Sequence, residues 1–359
     1  MRVCLYQADG RLPNLALMRL SAWQKAEGNK VSFFPTLDLY KRNQGQVHFA
    51  SVLFNWSRRL IPDGVIAGGP GWDVAKMLPQ DADICFPDYS IYPGLAEGYG
   101  YTYRGCSRRC AFCVVGKSPA WNDRRHWSIY DFMPRGWKSL SLLNNNTLQD
   151  ERWRETFEEI ITGDVTLFDH NGYDARIITR EMASVMNRVK WGGRINFAWD
   201  RMRDEGEILR GARVILEEIP ARRVNWYVLV GCDTTIEEDL YRINALRDLG
   251  FDCYAMRFTR SPELNRLAVW CNTAKLYHAC RYEDYEDSKA VGLGDHGRRK
   301  QRKTTSYYVA GSKLKGYKVR GGHKKLAVKL PVGVRRGEGG RWVRAASRGK
   351  WEDVGAPPY

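Results

Sequence analysis

From Tyr99 to Cys280 short apolar runs alternate with longer amphipathic stretches, and this rhythm narrows the fold more than any other feature of the chain. The expected strands are Tyr99–Arg104, Ser139–Leu143, Val165–Phe168, Arg194–Ala198, Val224–Val230 and Cys253–Phe258. Helical periodicity occupies Asp150–Ile161, Glu181–Lys190, Asp204–Glu218, Ile236–Leu249 and Glu263–Cys280. Strands separated by helices run parallel, because the crossover brings the chain back to start each strand from the same end. Six βα units of ~25–35 residues fall short of the eight that close a full barrel, so a partial (β/α)6 barrel is expected. The punctuation agrees. Thr234 or Thr235 can cap the helix beginning at Ile236, Glu237 and Glu238 suit its positive end, and Gly250 stands where a C-terminal glycine belongs.

A smaller alternation precedes it. Val3–Tyr6, Val31–Phe34, Val47–Phe54 and a run from Val65 read as strands, with a helix over Asn14–Glu27, giving a Rossmann-like α/β domain over residues 1–94. The glycines of Gly68–Gly71 do not form G-x-G-x-x-G; they read as a tight turn, the alternative being a phosphate cradle. Residues 95–285 then hold the barrel and 286–359 an extension with short β-like pieces at Ser306–Val309, Tyr317–Arg320 and Lys324–Leu330.

The formal charge of +16 is concentrated in that extension. Residues 298–350 contain eighteen Lys and Arg and one acid, Glu338, for a net +17, so the other 306 residues sum to −1. Tyr307, Tyr308, Tyr317 and Trp342 are interleaved with these cations. Cations spaced with aromatics suit a phosphate backbone and stackable bases, so DNA is the expected partner; a solvated tail and an anionic membrane surface are the alternatives. With 43% hydrophobic residues and thirteen Trp the chain can bury a core, which excludes wholesale disorder. No apolar run reaches the ~18 residues of a membrane span, and the start MRVCLYQADGRLPN does not read as a signal peptide. A cytoplasmic location is therefore expected, where nine cysteines are thiols or metal ligands rather than a disulfide frame.

Three of those cysteines carry the strongest chemical signal. Cys106, Cys110 and Cys113 form C-x3-C-x2-C in the loop after the first barrel strand. Three thiolates on so short a loop can hold three irons of a [4Fe–4S] cluster and leave the fourth open. The alternatives are a structural zinc site, with His126 as a fourth ligand, or ordinary thiols.

The spacing, with Phe112 before the last cysteine and the loop's place in a six-unit βα series, resembles the radical S-adenosylmethionine (SAM) superfamily over residues 95–285. The resemblance implies that SAM chelates the unique iron and, cleaved by one electron, yields a 5′-deoxyadenosyl radical. It implies an electron donor such as flavodoxin or ferredoxin. The segment that binds the SAM amino group maps onto Asn144 and Asn145; Asp169, Asp174 and Asp200 fall where ribose or amino contacts are made; Val228–Gly231 resembles the adenine-contacting strand end. For Asn144 and Asn145 a polar turn is an equal reading, for Asp174 a helix cap, and for Val228–Gly231 a buried strand. Cys232 can donate a hydrogen atom or be a core cysteine, and Arg104, Arg108 or Arg109 can clamp a carboxylate. Residues 1–94 resemble the cobalamin-binding domain that precedes many such barrels. The only histidine there, His48, lies outside any Asp-x-His-x-x-Gly motif, which implies a relict domain without cobalamin. The plan is similar to that of bacteriophage radical SAM isomerases of thymidine hypermodification, which convert an N-linked glycyl thymidine in DNA to its Cα-linked isomer and work in the host cytoplasm. A radical SAM enzyme acting on tRNA or a small nucleotide, and a non-catalytic zinc protein that binds DNA, are the competing readings.

Overall fold

The computed structural model describes residues 1–35, 46–119, 124–285, 334–336, 342–347 and 350–355. Met1–Asp287 form one compact unit and Ser288–Tyr359 a second.

The first unit opens with a four-stranded parallel sheet of β1 (Arg2–Gln7), β2 (Lys30–Phe34), β3 (Val47–Ser51) and β4 (Ile66–Gly68), in the order β2-β1-β3-β4. Helix α1 (Leu15–Ala26) connects β1 to β2. Its start is set by Asn14, whose side chain accepts from the Leu17 amide, and Leu17, Met18 and Leu20 then pack against Val3 and Leu5 of β1. The Gly68–Gly71 turn is tight for a steric reason. A Cβ at Gly69 would lie 2.6 Å from the Val52 carbonyl oxygen, and one at Gly71 would lie 2.4 Å from the Phe54 amide. Gly69 also holds φ +100°, which glycine alone tolerates cheaply. A four-residue helix, α2 (Gln80–Asp83), follows.

The second alternation gives β5 (Gly98–Gly100), β6 (Ser139–Leu142), α3 (Trp153–Thr162), β7 (Thr166–Phe168), α4 (Arg180–Arg188), β8 (Lys190–Trp191), β9 (Ile195–Trp199), α5 (Glu205–Glu218), β10 (Val224–Val230), α6 (Ile236–Asp248), β11 (Asp252–Arg257), α7 (Pro262–Asn272) and α8 (Ala274–Ala279). All pairings here are parallel, in two sheets ordered β5-β6-β7-β8 and β11-β10-β9. A single parallel bridge, Tyr173 with Phe197, ties the segment after β7 to β9, the Tyr173 amide donating to Asn196 O at 2.8 Å. The chain is thus a mixed α/β protein with parallel sheets.

All six expected strands exist, with small differences. The first is only three residues long because Asn144 diverts the amides of Thr102 and Tyr103 from strand pairing. The expected helix Glu263–Cys280 breaks at Thr273, whose extended backbone (φ −104°, ψ 99°) separates α7 from α8. Helix α6 starts as its sequence suggests, with Thr235 and Glu238 forming a reciprocal capping box. β10 is the most apolar strand; its residues Val224, Trp226, Val228 and Val230 have no exposure and pack with Trp199, Phe197 and Phe251 in the main core.

In the second unit β12 (Val334–Arg336), β13 (Trp342–Ser347) and β14 (Lys350–Gly355) form an antiparallel meander. The β-like pieces expected at 306–309, 317–320 and 324–330 lie outside the described residues. No helix among the described residues is long and apolar enough to cross a membrane.

Candidate functional site at the carboxyl ends of the strands

Parallel strands expose their carboxyl ends together, and the loops leaving those ends gather most of the residues singled out by sequence. The cysteine loop leaves β5. Its backbone is held by side chains from the segment after β6: Asn144 Oδ1 accepts from the Thr102 and Tyr103 amides at 2.9 and 3.1 Å, Asn145 Oδ1 from Gly105 at 3.2 Å, and Gln149 Oε1 from Ser107 at 2.7 Å. Asn144 Nδ2 donates to the hydroxyls of Thr102 and Thr147. Asn144 and Asn145, assigned by resemblance to the cofactor, therefore spend their amide oxygens on fixing the loop that carries the cysteines. Their neighbour Asn146 is the residue that reaches inward, with Nδ2 at 3.8 Å from Cys106 Sγ and 3.4 Å from Asp174 Oδ2. Its buried Oδ1 has no hydrogen-bond partner.

Asp174, after β7, caps a short turn by accepting from the Arg176 amide, and its carboxylate is also gripped by arginines. Arg176 Nε lies 2.6 Å from Oδ1 and Arg108 Nε 3.1 Å from Oδ2; Arg176 continues to Asp204, which Arg201 also contacts. These partners hold the Asp174 carboxyl below its usual range against the opposing effect of burial. Both the capping role and the site placement of Asp174 are thus present. Arg176 carried no sequence signal beyond its place two residues after Asp174.

Cys106, Cys110 and Cys113 are half-buried thiols. Burial raises Cys110 and Cys113; the charges of Arg201 and Arg176 oppose it at Cys110, while Asp200 acts on both. Asp200, after β9, is itself raised by burial, with Arg242, Arg176 and Arg201 pulling the other way. Cys232, after β10, is buried at 8% exposure and lies within the field of Asp200 and Arg242. Gly231 takes φ +71°, donates its amide to Asp239 Oδ2 at 2.9 Å, and leaves no room for a Cβ, which would meet Leu264 at 2.4 Å. Phe112 is half-buried in the loop and Arg109 is exposed. Arg104 turns away from the thiols to make a bidentate pair with Asp83. His126 pairs through Nδ1 with Asp150 at 2.5 Å.

Among the described residues no three His, Cys, Asp or Glu side chains converge as ligands of a single ion. A [4Fe–4S] cluster would take one thiolate per iron, a wider spacing than one ion demands. The donor chemistry fits such a cluster: three soft thiols on one pinned loop, a cationic frame of Arg176 and Arg201 beside them, and the Asn146 amide, its nitrogen near Cys106 and its oxygen unpartnered.

Asp169, at the end of β7, is a second buried carboxyl. It accepts from the Tyr173 hydroxyl at 2.7 Å and from the Asn171 amide at 2.9 Å. Burial dominates these bonds and pushes its pKa up from 3.8 to about 6. The folded state holds this proton more tightly than the unfolded chain, so the favourable contribution exists at low pH and is lost as pH climbs from about 4 through 6. Relative to Asp169→Asn, the native protein is expected to lose on the order of 3 kcal/mol between pH 4 and pH 7. Urea titrations of both proteins across that range measure it, and parallel pH profiles would refute the assignment.

No family model matches the chain, and no curated protein matches it. Among solved structures, a crystal structure of Streptococcus suis SuiB is similar with a TM-score of 0.34 and 8% identity, covering 46% of this chain and 40% of that one. The chain thus spans two fifths of that structure's length, and a likeness this slight bears on neither fold nor function.

Proposed function

We propose that the chain is a radical SAM enzyme that modifies a base in nucleic acid, with N-linked glycyl thymidine in DNA as the substrate and its Cα-linked isomer as the product. The observation that carries the reading is the three-cysteine loop, pinned at the carboxyl end of β5 in a parallel array that proceeds β5-β6-β7, bridge, β9-β10-β11. A partial (β/α)6 radical SAM barrel is the reading this parallel array supports, with β8 as an extra short strand beside β7. Cys106, Cys110 and Cys113 would hold a [4Fe–4S] cluster, which with SAM supplies reductive cleavage and a carbon radical able to abstract hydrogen.

The chain's own residues do the positioning. Asn144, Asn145 and Gln149 hold the backbone of the loop that carries the thiols. Arg108, Arg176 and Arg201 surround Asp174 and Asp204 with more positive than negative charge, a setting for a carboxylate such as that of SAM or a glycyl group. Asp200 and Cys232 stand at the neighbouring strand ends, Asp200 to accept a hydrogen bond from a ribose or amino group and Cys232 as a hydrogen donor. Along β11, Cys253 and Ala255 are buried while Tyr254 and Met256 are exposed, and Phe258 beyond them is 53% exposed. Tyr254 packs edge-on to Tyr227. Such a row of aromatic faces suits a base taken out of its stack.

The basic residues of 298–350 supply the sequence-independent grip on the polymer. Deleting 298–359 is expected to weaken DNA binding strongly and flatten its salt dependence while iron loading is unchanged. Anaerobic turnover with SAM, reductant and glycyl-thymidine DNA, followed by nucleoside mass spectrometry, tests the whole reading. Rearranged nucleoside is expected, and its absence from a fully loaded enzyme would overturn the substrate assignment. A preference for structured RNA over DNA would favour the tRNA alternative.

A further inference from the structure

A cavity of about 770 Å³ lies on the α1 side of β3 and β4, away from the cysteine thiols. Among the described residues no helix joins β3 to β4 on that side. The β3–β4 connection contains only the 3-10 turn Asn55–Leu60, and an irregular segment leaves β4, so α1 packs mainly on β1 and β2. The opposite face of β3 and β4 is filled, with Ile61, Val65 and Trp72 packed on Ala50, Val52 and Ala67. On the open face the register partners Phe49 and Ile66 line the cavity, and Ile66 is 46% exposed. Tyr99, Tyr101 and Arg104, from the start of the second alternation, contribute to the lining. The volume falls within the range of small-molecule sites.

The charged lining is specific. Arg19 of α1 and Arg104 are 4% and 7% exposed, and both pair with the single carboxylate of Asp83. Two buried guanidinium groups therefore share one negative charge, and the remaining lining charges, Asp73 and Lys76, cancel. Burial and then the neighbouring Arg104 cation lower the pKa of Arg19. The Nε atoms of both arginines are buried without a hydrogen-bond partner. Two guanidinium groups against one carboxylate leave a net positive charge in the lining, which an incoming anion would offset. The first turn of α1 also lines the cavity; it contains no acidic residue, and its free amides and dipole favour negative charge.

We propose that this cavity is a second small-molecule site, which takes an organic carboxylate with an apolar body: the body lies on Phe49, Ile66 and Tyr101, and the carboxylate on Arg19 and Arg104. The site shares Arg104 with the start of the cysteine loop, but it does not rest on the reaction assigned to that loop. The full-length protein is titrated calorimetrically with 4-phenylbutyrate and with its neutral analogue 4-phenylbutanamide. The acid is expected to bind once per chain, and more tightly than the amide by about tenfold or more, the worth of one charge-assisted hydrogen bond. Arg19→Gln is expected to erase that preference. Because Arg19 also holds Asp83, a second variant, Ile66→Trp, fills the cavity from a half-exposed position and is expected to lower the affinity by about tenfold or more without disturbing the arginines. Absence of saturable binding, equal affinity for acid and amide, or undiminished binding to Ile66→Trp would each overturn the assignment.

Discussion

Replacing any one of Cys106, Cys110 or Cys113 with alanine is expected to abolish stable iron loading and, with it, all turnover. Anaerobic reconstitution of the native chain should give about four iron and four sulfide per chain with a brown colour, while each variant stays near background. The size of the effect follows from ligand count. With three thiolates already leaving one iron open, removal of another leaves two, and two do not retain a cluster against solvent and chelators. Cys85→Ala is the control, since that thiol sits at the end of α2, where it donates to the Asp81 carbonyl, and should load as the native chain does. The same samples separate the zinc reading: one colourless zinc per chain with no sulfide would replace the radical mechanism with a structural site.

Asp239→Ala is expected to cost about 3–5 kcal/mol of stability, the penalty for leaving one half of a buried ion pair behind. Asp239 and Arg242 both have no exposure. Arg242 donates to the carbonyls of Trp199 and Leu229 at 2.7 Å each, so one guanidinium ties the ends of β9 and β10 together. Asp239 neutralises it and accepts from the Gly231 amide and the Thr234 hydroxyl. Alanine there strands the Arg242 cation in the core and frees the half-buried Gly231 amide and Thr234 hydroxyl, near Asp200 and Cys232. Urea unfolding measures the loss. Ala at Arg281, whose pair with Asp248 is largely exposed, should change stability by less than about 1 kcal/mol. A loss at Asp239 no larger than that would mean the pair is dispensable.

Much of the secondary structure was legible because burial leaves a local signature. Val224–Val230 was delimited to the residue, being apolar except for Asn225 and central in its sheet. Helix α6 was legible because its cap, its acidic first turn and Gly250 are all within one short segment. The first strand was over-extended because its apolar run continues into residues whose amides Asn144, some forty positions onward, takes for another purpose. The same distance in sequence hid the duties of Asn144 and Asn145. Nothing in an Asn triplet says which amide faces a loop and which faces a cysteine.

The candidate site divides along the same line. The spacing of Cys106, Cys110 and Cys113, the six-fold alternation and the concentration of charge after residue 298 are properties of neighbours in sequence, and the sequence alone determines them. Tertiary structure decided that Arg108 meets Asp174 across 66 residues, that Arg104 turns from the thiols to Asp83, and that the β3–β4 face is left open. The physical reason is range. Periodicity and capping record what a residue needs from its own segment, whereas the partner of a buried charge is set by which strand ends the sheet order brings together.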